Sequence, residues 1–296
     1  AQAMLDQGTV TLLSRNGAVH SLYATTRTNS TGPQMVFLHE GYLPLGIFPN
    51  AHRIRDYETL TLFAKFAPGV LDRRLIPERA PICLKRIYEI ATEHLPTDAN
   101  RLPHPFPAFV PELALAEHVT EPLDFEVISA PEYVQRRFET TFTDPYERFY
   151  PFHVPNTIFA STNGEVEIFA HHSKPDRYCT IVALTKPIYT LRGRIDDFFT
   201  RIGDHGFSYL EVLIGVEHFE SIEALRDAQF LPSALYPAMR EVRGRMQDFV
   251  LMSRTLEPLN FHGMSVATSF KPYVDQYLDL WKDMHLNTLE IFNEYR

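Results

Sequence analysis

Hydrophobic and polar positions alternate over Val19-His20-Ser21-Leu22-Tyr23-Ala24, and this period of two predicts a strand. Ahead of it, Ala3, Met4, Leu12 and Leu13 fit a helix ending near Arg15-Asn16-Gly17, where Asn-Gly is a C-terminal stop. A short helix is read over Gln34 to His39, stopped by Gly41, and strands over Leu45 to Asn50 and Tyr57 to Phe66. Further on, the pattern predicts a strand at Phe125 to Ile128, a helix from Glu132 to Phe142, and a meander of Thr157–Ser161, Val166–His171 and Tyr178–Leu184. The meander's turns, Asn163-Gly164 and Lys174-Pro175-Asp176, use residues that tolerate tight backbone geometry. Helical spacing then places Leu191, Ile195, Phe198, Phe199 and Ile202 on one face, followed by a strand (Tyr209 to Val216), a helix (Phe219 to Ala228) and strands at Leu235 to Met239 and Asp248 to Ser253. Near the C-terminus, Tyr273, Val274, Tyr277, Leu278, Trp281 and Met284 form a helical stripe expected to pack on the body.

A repeat runs through this pattern. Gly41-Tyr42-Leu43-Pro44-Leu45-Gly46-Ile47-Phe48-Pro49 matches Gln229-Phe230-Leu231-Pro232-Ser233-Ala234-Leu235-Tyr236-Pro237: aromatic, Leu, Pro, two small or apolar residues, aliphatic, aromatic, Pro. Each copy follows a short helix and precedes a polar loop and a strand with an Asp-aromatic pair, Asp56-Tyr57 or Asp248-Phe249. Duplication of a strand–helix–hairpin unit accounts for this, and residues 41–66 and 229–253 are expected to be equivalent strand pairs. Between the halves, residues 96–123 hold six prolines and read as a stiff linker or surface wrap.

Composition narrows the function classes. The 296 residues are 45% hydrophobic and 22% charged, a globular balance. The net charge of −9 disfavours a general nucleic-acid binder, and no apolar run is long enough for a membrane helix. Two cysteines, Cys83 and Cys179, make neither a disulfide framework nor a four-cysteine zinc site, so a reducing cytoplasm is the default compartment.

The runs Val36-Phe37-Leu38-His39-Glu40-Gly41-Tyr42 and Ala224-Leu225-Arg226-Asp227-Ala228-Gln229-Phe230 resemble the helix motif Leu-Tyr-x-x-x-Gly-Phe of the GNAT acyltransferase superfamily. The order of elements resembles that fold too, over roughly residues 1–92 and 124–258. The resemblance implies an α/β fold of two GNAT-like mixed-sheet domains, the first entered partway, with a helical tail. Its divisions are 1–95, the proline-rich linker 96–123, a degenerate second domain 124–260, and 261–296. It implies an acyl-CoA, acetyl-CoA among them, as co-substrate, no metal, and an amine acceptor, small molecule or peptide. Neither nucleic acid nor membrane is an expected partner, and a homodimer is one arrangement.

The family's phosphate loop, Gln/Arg-x-x-Gly-x-Gly/Ala, holds a pyrophosphate on backbone N–H groups at a helix N-terminus. In the second half the corresponding junction reads Thr185 to Leu191, without glycine and with Pro187, which has no N–H to give. The resemblance therefore puts acyl-CoA on the first copy, with Ser30, Gln34 and Phe37 as its binding residues, and gives the second copy the shaping of the acceptor cleft. The motif tyrosine is replaced by Phe37 and Leu225, neither of which can supply a proton.

For the acceptor, Tyr146, Phe149, Tyr150, Phe152, His153 and Asn156 combine aromatic walls with polar tips. Tyr150 and Asn156 are the expected substrate contacts. Glu58 and His153 compete as the proton acceptor, since a carboxylate or an imidazole with a tuned pKa suits deprotonation of an amine. His171 and His172 are adjacent on a strand and point to opposite faces, which disfavours a shared metal. Cys179, mid-strand among apolar residues, reads as inert packing. Nucleophile-elbow, Walker and dinucleotide glycine motifs do not occur. A non-catalytic scaffold built from degenerate units is the alternative; a metal hydrolase ranks below both.

Overall fold

The computed structural model describes residues 2–14, 19–96, 106–111 and 122–286. It is a mixed α/β protein. The first half runs α1 (Gln2–Leu13), β1 (Ser21–Arg27), α2 (Gly32–His39), β2 (Leu43–Arg53) and β3 (Tyr57–Phe66). A connecting region supplies β4 (Arg74–Leu75), β5 (Arg79–Pro81), α3 (Lys85–His94) and β6 (Ala108–Val110). The second half runs β7 (Phe125–Ile128), α4 (Pro131–Thr141), β8 (Thr157–Ser161), β9 (Glu167–Ser173), β10 (Tyr178–Leu184) and α5 (Ile195–Ile202). It continues with β11 (Tyr209–Gly215), α6 (Phe219–Asp227), β12 (Leu231–Val242) and β13 (Arg245–Thr255), and α7 (Lys271–His285) follows.

All but two of these strands join one sheet in the order β1-β3-β2-β12-β13-β11-β10-β9-β8-β7, with β4 added beside β13; β5 and β6 pair in a separate two-stranded parallel sheet. The pair β10–β11 is parallel, and its neighbours β9 and β13 run antiparallel to it. The second half thus has the strand–helix, meander, helix, strand, helix, hairpin order that the sequence resemblance implies.

The repeat is visible in backbone detail. Each hairpin shifts register twice, at Pro44/Gly46 and Phe48/His52 in one copy and at Pro232/Ala234 and Tyr236/Arg240 in the other. The residues after the second prolines, Asn50 and Ala238, both take positive φ, as do Gly41 and Gln229 after the short helices. β2 and β12 meet where Gly46 pairs with Ala234, so equivalent residues of the two copies face each other at the seam. One sequence equivalence is corrected. Phe48 opposes Leu60, whereas its counterpart Tyr236 opposes Phe249, so Asp248 does not correspond to Asp56. Asp56 sits exposed in a turn while Asp248 is buried in β13.

Two other boundaries differ from the sequence reading. The apolar stripe assigned to a helix from Leu191 is helical in α5 only from Ile195; Ile188–Leu191 forms a separate tight turn. Helix α3, buried through Ile87, Tyr88, Ile90 and Ala91, has no counterpart in the sequence reading. The end of the first helix at Arg15-Asn16-Gly17 and much of the proline-rich stretch lie outside the described residues. The α7 stripe packs as expected: Tyr273 and Tyr277 are buried, and the Tyr273 hydroxyl donates to the Pro44 carbonyl at 2.8 Å, tying the helix to β2. No helix among the described residues is long and apolar enough to cross a membrane.

Candidate functional site

A cavity of about 450 Å³ opens between the two halves. The first half contributes Tyr23 and Thr25 from β1, Phe48 and His52 from β2, and Leu60 and Leu62 from β3. The second contributes Phe152, His153, His171, Tyr178, Tyr236 and, at the base, Glu211. The period of two explains how Tyr178 and Glu211 come to line one face. Tyr178 and Thr180 on β10 share a face with Tyr209 and Glu211 on β11, because residues i and i+2 point the same way.

Glu211 is a carboxyl in a strand that is otherwise apolar and wholly buried. Its Oε1 accepts from the hydroxyls of Tyr150 at 2.8 Å, Thr180 at 3.1 Å and Tyr178, and its Oε2 accepts from Tyr209 at 3.2 Å. Burial pushes its pKa up while the four hydroxyls pull it down, and burial prevails. The phenols of Tyr150, Tyr178 and Tyr209 are held well above their ordinary range, first by burial and then by the charge on Glu211. They serve Glu211 as donors.

The network reaches the cavity through His153. Its Nε2 lies 3.2 Å from the Tyr178 hydroxyl. With the phenolic proton spent on Glu211, Nε2 must carry hydrogen and donate, which leaves Nδ1 as a lone-pair acceptor. The ring stacks on His171 at 4.5 Å, and burial with the neighbouring imidazole lowers the His153 pKa to about 4. His153 is therefore neutral at neutral pH. At the cavity mouth His52 Nδ1 lies 2.8 Å from Asp176, which also accepts from the Ser173 hydroxyl at 2.9 Å.

The His153 shift has a consequence for stability. Between pH 6.5 and about 4 the unfolded chain binds a proton that the folded imidazole refuses, so stability falls as pH drops through that window. His94, His172 and His285 are lowered as well and act in the same sense, whereas Glu211 acts in the opposite one. Urea midpoints at a series of pH values for the wild type and His153→Asn isolate this contribution: the variant should lose part of the decline between pH 6.5 and 4. Parallel curves would contradict the burial of this ring.

A second cavity, of about 600 Å³, lies where β10 and β11 part. The two strands pair only from Tyr178–Ile181 against Tyr209–Val212, and β10 bulges between Ile181 and Ala183. Phe149 lines this opening while Phe152 and His153 line the first cavity, so the segment around Tyr150 stands between them. Arg240 lies over the rings of Phe249, Phe149 and Tyr146 at 5.0, 5.2 and 5.7 Å.

The sequence candidates are distributed as follows. His153 lines the cavity, and Tyr150 is buried beneath it on Glu211. Asn156 braces the wall, donating to the His172 carbonyl at 3.0 Å and accepting from the His172 N–H at 2.8 Å. Glu58 lies elsewhere, in a separate cleft, with both oxygens 2.7 Å from the Arg27 guanidinium. Ser30 is exposed in the loop before α2. Gln34 is buried and clamps the 265–267 segment, donating to Ser265 O at 2.8 Å and accepting from Ala267 N at 2.8 Å. Phe37 packs on Phe63 and Tyr42. Structure thus brings His153 and Tyr150 together, their rings 5.8 Å apart, sets Asn156 behind the strand that carries His171 and His172, and leaves Glu58, Ser30, Gln34 and Phe37 apart from them. The sequence reading missed Glu211, Tyr178, Tyr23 and Tyr236. Glu211 carried a signal: a lone carboxyl inside Tyr209-Leu210-Glu211-Val212-Leu213-Ile214 is costly to bury without partners.

The turn between β10 and α5 does not fit a diphosphate. It extends beyond the sequence assignment to Arg194 and does include one glycine, Gly193 at φ 81°. Pro187 has no N–H, Lys186 and Arg194 are held by Glu165, and Arg192 is held by Glu223 and Asp227. The first turn of α5 carries Asp196 and Asp197, the wrong charge for an anion at a helix N-terminus.

No protein-family model and no curated protein matches this chain. Among solved structures, it is similar to a variant of the spermidine N-acetyltransferase of Vibrio cholerae, at 10% identity and TM-score 0.35, over 45% of this chain and 94% of that one. It is also similar to the ribosomal-protein-S18-alanine N-acetyltransferase of Escherichia coli, at 8% identity and TM-score 0.30, over 43% of this chain and 79% of that one.

Proposed function

We propose that this protein transfers an acyl group from a thioester to a primary amine bound in the cavity between its halves. The observation that carries the reading is the chain Glu211–Tyr178–His153, which ends on a neutral imidazole beside a cavity next to the β10–β11 opening. Once its ammonium has lost one proton to solvent, the amine nitrogen attacks the thioester carbonyl; a C–N bond forms, the C–S bond breaks, and the thiolate leaves, becoming the thiol with the proton that His153 takes from the attacking nitrogen. As the C–N bond forms, the attacking N–H becomes strongly acidic, so a base as weak as His153 suffices to take its proton. Tyr178 and Glu211 orient that ring and stabilise it when charged. Tyr150 and Asn156 act through the wall they brace.

The sequence resemblance names acetyl-CoA or another acyl-CoA as donor. The β10–β11 opening suits a narrow uncharged arm, but the turn before α5 offers nothing for the diphosphate. Acetyl-CoA and acetyl-pantetheine are therefore expected to react with KM values within about tenfold of each other.

Thiol release from either thioester in the presence of a panel of primary amines tests the reading. His153→Ala should lower turnover by about 10²- to 10⁴-fold, the usual range for a positioned base, with unchanged circular dichroism. Glu58→Gln should cost less than about tenfold, since Arg27 already holds that carboxylate. No thiol release with any primary amine, or full turnover in His153→Ala, would overturn the assignment.

A further inference from the structure

Glu211 is buried, forms the base of the cavity, and has no basic side chain paired with it among the described residues. Four hydroxyls stabilise its charge, yet burial still prevails on its pKa. A carboxyl in that position lacks one thing that would settle it: a cation. The cavity leads to it, and the protein's net charge of −9 favours the approach of one.

The walls say what the cation should be attached to. Tyr23, Phe152 and Tyr236 form a cluster with ring centroids 5.2 to 5.7 Å apart. Their neighbours Phe48, Leu60 and Leu62 are apolar. Such surfaces reward a flat hydrocarbon body and also attract an ammonium to the ring faces. A second ammonium would find no carboxylate to spare at the mouth. Asp176, unlike Glu211, already has a basic side chain beside it, His52, and it also takes the Ser173 hydroxyl and the Arg53 N–H at 3.3 Å. A polyamine would thus leave a charge stranded against apolar walls.

We infer that the cavity selects a monocationic arylalkylamine, its ammonium seated toward Glu211 and Tyr178 and its ring against Tyr23, Phe152 and Tyr236. The inference deepens the reading of this cavity as the acceptor site. A volume of about 450 Å³ lies within the roughly 300–1,000 Å³ of small-molecule pockets and suits one such molecule.

Titration calorimetry with no acyl donor present tests it separately from acyl transfer. 2-Phenylethylamine should bind one per chain, and 2-phenylethanol, of the same shape without the charge, at least about tenfold more weakly. Spermidine should bind more weakly than 2-phenylethylamine. Glu211→Gln should weaken the amine by at least about tenfold and the alcohol by less than about twofold. Phe152→Ala, at a position 39% exposed, should weaken 2-phenylethylamine several-fold more than n-butylamine, and it decides the matter if Glu211→Gln fails to fold. Equal binding of amine and alcohol, tighter binding of spermidine, or indifference of the amine to both substitutions would overturn the inference. Amine binding without thiol release would overturn the acyl-transfer reading alone; thiol release with polyamines but not with arylalkylamines would overturn this inference alone.

Discussion

Asp248→Asn is expected to destabilise the protein by about 3–5 kcal/mol, the range for a buried ion pair that loses one partner. Asp248 and Arg74 are both almost completely buried, and the carboxylate meets the guanidinium twice, at 2.5 and 3.0 Å. It also accepts the Tyr88 hydroxyl at 3.2 Å and the Ala238 N–H at 2.9 Å. One carboxylate therefore joins β4, α3, β12 and β13, elements distant in sequence. Removing its charge strands Arg74, whose cation cannot be neutralised at any ordinary pH. It also replaces Oδ2, which accepts from Arg74 Nη2 and the Tyr88 hydroxyl, with an amide nitrogen that can only donate. Arg74→Met with Asp248→Leu should recover much of the loss, because what costs most is the lone charge rather than the missing pair. Urea unfolding of the two variants measures this; a double variant no more stable than Asp248→Asn would show that the bonds to Tyr88 and Ala238 dominate instead.

This ion pair also marks where reading the sequence stops. The duplication is legible because it is written in residues that act locally: Pro44 and Pro232, and Pro49 and Pro237, fix their own φ wherever they occur. The alternation in β8, β9 and β10 is legible for the same reason. Pairing partners are not. Asp56 and Asp248 look alike in their local strings, and only the hairpin register separates an exposed turn residue from a buried anchor.

The same limit applies to the site. Aromatic and polar residues from 146 to 156 announce a cavity wall, and His153 is among them. Tyr23 and Tyr236 face that wall from strands far away in the chain, and no spacing within the sequence joins them. Glu58, attractive as a carboxylate beside a hairpin, is taken by Arg27 across the β1–β3 pair, in which Arg27 faces Leu60 two residues on. Gln34 looks like a ligand contact and is a clamp on the segment leading to α7.

Gly46→Ala is expected to open the seam between the halves. A Cβ at this position would lie 2.3 Å from the Ala234 Cα, 2.4 Å from its Cβ and 2.5 Å from the Ser233 carbonyl oxygen. Two of these three atoms are backbone, which cannot swing aside as a side-chain tip can. Gly46 also holds φ at 154°, a conformation that costs an alanine further. Inserting a methyl into a packed core costs about 1–3 kcal/mol, and a clash with backbone belongs at or above the top of that range. The damage is concentrated, because Gly46 and Ala234 are the residues through which β2 and β12 pair. It should also reach the cavity. Phe48 and His52 follow Gly46 on β2, and Tyr236 follows Ala234 on β12, so separating the strands displaces walls contributed by both halves. Two further variants fix the cause. Ala234→Gly in the Gly46→Ala background removes the contact with the Cβ but not those with the Cα and the Ser233 oxygen, so it should restore only part of the stability. Gly32→Ala, where a Cβ meets nothing within 4 Å in the first turn of α2, should change the urea midpoint little, within about 0.5 kcal/mol. If Gly46→Ala unfolds at the same urea concentration as Gly32→Ala, the close approach of the two copies at this seam is wrong.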